Sequence, residues 1–568
     1  MIRLEEFPMK TLKNQSGIAL IVAIGLLLMV SLIGLAAVLT SDTETDISVN
    51  KKNDAKAFYT AEGGLEVAQG DIKEAVNAID TVVIPRDTAL SFLSNPMRLL
   101  TKYIPNFNSR FPQDSFKAAS YMGGRESYRL KYSIAPFDTT VTSRGFVFTY
   151  RYTITSKGRY ADPVTGFNEK NNIIAGTFSV NLNRASFAQY ALFRHLTTDT
   201  AGNQLFFRNW DKFNGPVHTN GKPGFSASPV FNGPFTTAWA SYGTSAQVNN
   251  ADPQFNGGSQ WGMGAIGLPT NAYSQQRAAF GGDPNNTTSP GTNEIRNGLG
   301  LSGGGAIPTG VYLATNGTTN VTGGLYVQGD ITELRLWVGA DSSQHYRFNQ
   351  GGTIYDVTVD YGSNQTIFNG TTYTGVPNGA LFVGGNVNAL GGATRENPAI
   401  AASTQLTLAA TGNVRITNDI IYQGAIFKDS SGAVVSDPTE PDVTPDIDPD
   451  ATNMLGIFSS AGNVRIAAGA PDNMNLHASI MASGVNKGFG AEDLLNTHGN
   501  LKLLGGITEY QAKLLGIIDA NGSLTGGYLR KLFYDNRFAT GFAPPFFPTR
   551  NAYLTQMGAF NTSRWAVQ

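Results

Sequence analysis

Residues 18–40 read IALIVAIGLLLMVSLIGLAAVLT, 23 positions without a charge. As a helix this run is roughly 35 Å long, enough to cross a hydrocarbon core of about 30 Å. Arg3, Lys10 and Lys13 precede it, and Asp42, Glu44 and Asp46 follow it. That asymmetry keeps the N-terminus in the cytoplasm and sends the large C-terminal part across the membrane. A cleavable secretory signal has a shorter apolar region followed by small residues. Here the run is too long, and the small residue, Gly17, stands before it.

The chain does not loosen into a linker after the run. Phe58, Ala61, Leu65, Ala68, Ile72, Val76 and Ile79 recur at steps of three and four, which places one apolar stripe on one helix face. Lys51, Lys52, Asp54, Lys56, Glu62, Glu66, Lys73 and Glu74 fall largely off that stripe. With no proline between Pro8 and Pro85, the pattern predicts one helix over 18–80, its first half apolar all round and its second half packed on a globular domain.

These residues resemble the N-terminus of type IV pilins, most closely the PilX-type minor pilins. The resemblance rests on Gly17 before Ile18, the apolar run, Asn50, Asp54, Ala57-Phe58 and Ala61-Glu-Gly-Gly-Leu-Glu66. It implies a leader over 1–17, removed by a prepilin peptidase between Gly17 and Ile18, with methylation of the new N-terminus. Met9 offers an alternative start with a short basic leader. Most pilins carry a glutamate five residues into the mature chain; that position is Val22 here. Its absence points away from a repeating major subunit and toward a low-copy one at the tip.

The remaining five hundred residues exceed one ordinary core. There are 65 glycines, and charged residues make up only 15 % of the chain, so tight turns and β-structure are expected rather than helical bundles. Cysteine is absent, which excludes disulfides, thiolate metal sites and thiol nucleophiles.

Within 81–200, Tyr128, Leu130, Tyr132 and Ile134 alternate with polar partners, as do Phe146, Phe148, Tyr150, Tyr152 and Ile154, and Ile174, Phe178, Val180 and Leu182 suggest a third strand. A long helix followed by antiparallel strands is the pilin plan. Over 201–505 the texture changes. Gly384-Gly-Asn-Val-Asn388, Thr411-Gly-Asn-Val-Arg-Ile416 and Ala461-Gly-Asn-Val-Arg-Ile466 are near-repeats, and Gly323-Gly-Leu-Tyr-Val-Gln-Gly-Asp-Ile331 echoes them. Their spacing suits β-solenoid rungs of about 25 residues, each burying its face on the next; a glycine-rich sandwich or barrel is the alternative. Residues 506–568, with Gly527-Tyr-Leu-Arg-Lys-Leu-Phe-Tyr-Asp535 and Pro544-Pro-Phe-Phe-Pro548, are read as returning to the pilin-like sheet. The expected fold class is therefore α+β pilin-like, a long N-terminal helix plus an antiparallel sheet, with a large inserted β-solenoid and mainly β overall. The stretch Asn214-Gly-Pro-Val-His-Thr-Asn220 with Phe231-Asn-Gly-Pro-Phe-Thr-Thr237 resembles a segment of large PilX-like exported proteins. The whole plan resembles the large competence-associated minor pilins of thermophilic bacteria. That resemblance implies a pilus-tip receptor for DNA in natural transformation.

Charge tests the DNA reading. Residues 201–500 hold 12 basic and 21 acidic side chains, and the rest of the chain 29 and 21. DNA affinity rests largely on cations that neutralise phosphates, so the solenoid as a whole is not such a footprint. Arg415 and Arg465 occupy equivalent places in two near-repeats and are the candidate ligand-binding pair; Trp210, Trp239, Trp261 and Trp337 are candidate stacking platforms. Against these stands the reading of solvated rung ends and core aromatics. Asp446, Asp448 and Asp450 alternate in an acidic, proline-rich loop over 437–450, a pattern open to a hard cation such as calcium or to a solvated surface loop. The five histidines, His195, His218, His345, His477 and His498, show no metalloprotease spacing, and His218 reads as a turn residue. No cofactor and no catalysis are expected. Expected partners are other pilins, the assembly platform, the prepilin peptidase, the inner membrane before assembly, and DNA. A tip adhesin for surfaces or glycans and a membrane-tethered β-helix enzyme acting on carbohydrate are the alternatives.

Overall fold

The computed structural model describes residues 16–80, 82–113, 115–142, 145–164, 166–519 and 522–567. Helix α1 runs Ser16–Asn77, 62 residues without a break. Its apolar first half is bare: Leu20, Ile21, Leu27 and Ile33 are each more than 60 % exposed. From residue 57 one stripe is buried, formed by Ala57, Ala61, Leu65, Ala68, Ile72 and Val76, with Ile79 continuing it just past the helix end. Phe58, expected on that stripe, is only half-buried, and Ala57 takes its place. The reason lies across the interface. A Cβ on Gly158 would sit 2.2 Å from the Ala57 carbonyl oxygen and 2.4 Å from the Ala61 nitrogen, so the helix rests on bare backbone there.

The sheet beneath has strands β1 (Val83–Pro85), β2 (Ser120–Gly123), β3 (Glu126–Thr142), β4 (Gly145–Asp162) and β5 (Gly166–Ser186), closed by the strand Thr549–Val567. Its order is β1, closing strand, β5, β4, β3, β2, and all pairs are antiparallel. The alternation seen in the sequence is the inner face: Tyr132, Tyr150, Tyr152, Ile154, Phe178 and Leu182 are buried against α1. Burying each such side chain contributes about 1.5–3 kcal/mol, and that is what holds stem and sheet together.

Between β5 and the closing strand lies a stack of parallel strands. Its order is Ser259–Gln260, Phe235–Thr237, Val217–Thr219, Leu192–Leu196, Thr497–Gln511, Asn475–Ala482, Met454–Ser459, Gln405–Ala410, Ala380–Val383 and Leu325–Gln328. The chain thus enters in the middle at Leu192 and climbs to one end at Gln260. It then crosses to the far end near 310 and returns rung by rung to Gln511, beside its own entry strand. Leu524–Phe533 still pairs with Thr497–Gln511, so the stack reaches beyond 201–505 at both ends and only Thr549–Val567 joins the sheet. The crossing carries helices Tyr273–Phe280 and Thr292–Gly298, which pack through Ala278, Phe280 and Ile295 on Tyr326, Phe382, Phe458 and Met481. The middle strands are therefore covered on both sides. This explains their continuous apolar runs, such as Met454–Ser459, in place of alternation.

Candidate functional site: the arginine column and its surroundings

The near-repeats fall on a second ladder of the stack, Val387–Gly392, Val414–Ile416, Val464–Ile466 and Phe489–Ala491, in parallel register. Each residue of the Gly-Asn-Val-Arg unit has a distinct task. The glycine admits the neighbouring rung: a Cβ on Gly412 would lie 2.4 Å from Asn386 Oδ1, and one on Gly462 only 2.3 Å from the Gly412 carbonyl carbon. The asparagine ties rungs together. Asn386 Oδ1 accepts from Asn413 N at 2.8 Å, Asn413 Oδ1 from Asn463 N at 2.8 Å, and Asn463 Oδ1 from Gly488 N at 3.1 Å. Val387, Val414 and Val464 point into the core. The following arginine points out.

Arg415 and Arg465 are direct cross-rung partners, and Arg465 is in turn opposite Gly490. Lys513 packs over that glycine, so the column reads Arg415, Arg465, Lys513. Glu492 sits beside it. Arg415 Nε and Nη2 each donate to a Glu492 oxygen at 2.7 Å, a bidentate fork, and Nη1 reaches Asn388 O at 3.2 Å. Arg465 Nη1 donates to Ala491 O at 3.0 Å. The hydrogen bond to Glu492 raises the Arg415 pKa, whereas burial lowers that of Arg465 against the pull of Glu492. Lys513 is likewise lowered by burial first, then by Arg465 and Lys487. Sequence reasoning brings the two arginines together correctly, but the fork of Arg415 is already occupied by a carboxylate. The column is built to hold rungs in place more than to offer free donors.

The acidic loop is not a cation cage. Asp446 pairs with Lys428 Nζ at 2.7 Å, and Asp448 accepts from the Asp450 backbone at 2.9 Å. Among the described residues no three His, Asp or Glu side chains converge to hold a metal ion. Nor is the loop simply solvated. Lys502, fully buried, donates from Nζ to Pro438 O and Glu440 O at 2.9 and 2.6 Å, while Asn475 and Asn500 donate to Pro438 O and Pro441 O. The loop is clamped by its carbonyls and turns its carboxylates outward. Burial lowers the Lys502 pKa to about 8.

The tryptophans are engaged locally. Trp239 donates from Nε1 to Thr244, Trp261 joins the Phe225, Phe235 and Phe255 cluster, and Trp337 stacks on His345 with ring centres 4.9 Å apart. Trp210 is 41 % exposed, with the Arg208 guanidinium 5.4 Å from its ring. His218 is a buried strand residue and not a turn. Asn220 orients it. The Ile266 backbone fixes the amide by donating to Oδ1 and accepting from Nδ2, so His218 Nε2 must be the donor to Asn220 Oδ1 at 3.0 Å. Gly17 and Ile18 lie in the first turn of α1; residues 1–15 of the leader lie outside the described residues.

A bare apolar stem continuing as a helix on an antiparallel sheet defines a pilin-like subunit, here with a parallel stack inserted before the last strand. Comparison with known proteins narrows the class. Residues 16–66 match the family described as PilX N-terminal, so the stem is similar to that of PilX-type minor pilins. Residues 146–239, spanning β4, β5 and the first rungs, match a domain of unknown function, DUF4900. No curated protein matches the chain. Among solved structures the chain is similar to the competence-associated pilin ComZ from Thermus thermophilus, with 11 % identity and a TM-score of 0.31, over 91 % of this chain and 98 % of that one.

Proposed function

We propose that this chain is a minor pilin of a type IV pilus, a low-copy subunit displayed at the tip, where it captures DNA for uptake. The observation that carries the tip position is the inserted stack. It spans residues 192–533 on a sheet of six strands, and heads of that size repeated at every subunit along a filament would collide. Val22, 54 % exposed on the bare stem, supplies no carboxylate to pair with a neighbouring subunit's amine. The DNA reading draws on the family resemblance and on the charge split, since the basic excess lies outside 201–500.

Processing at Gly17 places Ile18 at the mature N-terminus. Mass spectrometry of protein from cells with active prepilin peptidase should return that terminus, and retention of residues 1–17 would remove the pilin reading. Quantitative immunodetection on sheared pili should find far fewer copies than of the main subunit. Full-length protein in detergent should bind duplex DNA at low salt and release it as salt rises. The adhesin reading draws on exposed Trp210; binding on a glycan array without any DNA binding would favour it.

A further inference from the structure

We propose that the outer face of the six-stranded sheet, opposite α1, binds the phosphodiester backbone of DNA. This rests on the DNA-receptor reading and gives it a surface other than the stack. Because side chains alternate along a strand, the residues between those buried against α1 all point to the opposite face. On β3 these include Arg129 and Lys131, and on β4 Arg151, Lys157 and Arg159.

The register gathers them. Arg129 lies directly opposite Lys157, Ser127 opposite Arg159, and Lys131 opposite Thr155. Side chains directly opposed across an antiparallel pair are about 5 Å apart, and like charges there are unfavourable. Among the described residues the carboxylate paired into this face is Glu169, on Lys157. Among the described residues no carboxylate pairs with Arg129, Lys131 or Arg151. Asp138, in register with Thr149, is the other acid on this face, so five cations stand against two carboxylates on an accessible sheet, a site that an external polyanion completes.

Two exposed rings hold the guanidiniums. The register shift between Pro136 and Asp138 leaves Phe137 as the extra residue of a bulge, and its ring lies 4.1 Å from Arg151 Cζ. Phe167, in the first turn of β5, lies 4.0 Å from Arg159 Cζ. Both rings are more than half exposed. Stacking on a ring satisfies one face of an arginine and leaves its N–H donors free in the plane, the geometry that suits phosphate oxygens. The stack's arginine column offers no equivalent, because Glu492 takes the Arg415 fork. Recognition by such a face carries no base readout and is therefore independent of sequence.

The test uses full-length protein in detergent, a fluorescent random-sequence DNA duplex and anisotropy across a salt series. R129E/K131E/R151E should weaken binding by about tenfold or more at low salt. The slope of log affinity against log salt should fall by about one for each cation that no longer neutralises a phosphate. R129Q/K131Q/R151Q should show a smaller loss in the same direction and covers the case in which charge reversal perturbs folding. R415Q/R465Q should stay within about twofold of wild type, as expected when only phosphate-contacting cations set the salt term. Wild-type binding that neither sheet variant changes overturns this surface while sparing the DNA reading. Absence of wild-type binding at low salt overturns the DNA reading, and this surface with it.

Discussion

Arg194 and Glu509 face each other across the seam of the stack, 315 positions apart in the chain, with Arg194 Nε donating to Glu509 Oε1 at 3.0 Å. They are direct partners in the parallel pairing of Leu192–Leu196 with Thr497–Gln511. Their side chains are 12 % and 2 % exposed. Glu509 also accepts from Phe489 N through its other oxygen. The pair therefore joins the outgoing and the returning halves of the stack.

Removing one partner strands a buried charge. Arg194→Met should cost about 3–5 kcal/mol, and Arg194→Met combined with Glu509→Leu should recover most of it, because replacing both charges removes the desolvation cost. Denaturant unfolding of the three proteins checks this; additive losses in the double variant would contradict it.

The helix seat makes a sharper steric statement. Gly158→Ala would drive a methyl into the Ala57 carbonyl, and Gly64→Ala would place one 2.4 Å from Ser156 Oγ. Each should loosen α1 from the sheet, at about 1–3 kcal/mol, since the first methyl meets helix backbone and the second the buried Ser156 hydroxyl and Tyr128 ring. Gly70→Ala meets nothing within 4 Å and removes a helix-interior glycine, so it should stabilise by up to about 1 kcal/mol. Protease sensitivity of the sheet together with thermal unfolding separates these outcomes.

Acid sensitivity follows from two histidines. Burial, against the Asn220 hydrogen bond, lowers His218 to about 4, and burial with Arg537 and Lys502 lowers His477 to about 3. The unfolded chain binds their protons first, near 6.5. Stability is thus lost as pH falls below 6.5, by about 1.4 kcal/mol per unit for each histidine. His498 acts in the other direction. Burial opposes its charge, but Asp472 and Asp493 outweigh that and raise its pKa, so its contribution is present at low pH and fades as pH rises. Unfolding midpoints between pH 7 and 4 should fall for wild type and fall less for His218→Gln.

Glu492 predicts a gain. Its hydrogen bond from Arg415 lowers its own pKa and occupies the guanidinium. Glu492→Gln should free that fork, loosen the local rungs by about 1 kcal/mol, and raise low-salt DNA affinity modestly by releasing the Arg415 donors to reach phosphate. An unchanged salt profile would show that this column takes no part in binding even when released.

Much of the molecule is legible locally. The three-and-four spacing marks the helix face, and only close approach at Gly158 displaces Phe58 in favour of Ala57. Period-two alternation marks the inner faces of β3, β4 and β5, and the positions between carry the cations of the outer face. The Gly-Asn-Val-Arg echoes are real rungs; the 50-residue step between Arg415 and Arg465 is one rung enlarged by the clamped acidic loop. What no local pattern carries is order. That Leu192 lies against Ile507 depends on where the chain turns back, and the crossing over 261–309 has no period to announce it. The alternation of Asp446, Asp448 and Asp450 says nothing of their partners in space: Lys428 takes Asp446, and Asp448 accepts from the Asp450 backbone.

The stack's entry at Leu192 and its exit toward Pro548 lie together at the seam, where Phe187 N donates to Pro548 O at 3.0 Å. Both extremities of the stack, near Gln260 and near Leu325, are remote from that anchorage in the strand order. Reach is thereby decoupled from attachment. A rung gained or lost at either extremity lengthens or shortens the boom while its mast, and the mast's footing in the filament, stay as they are.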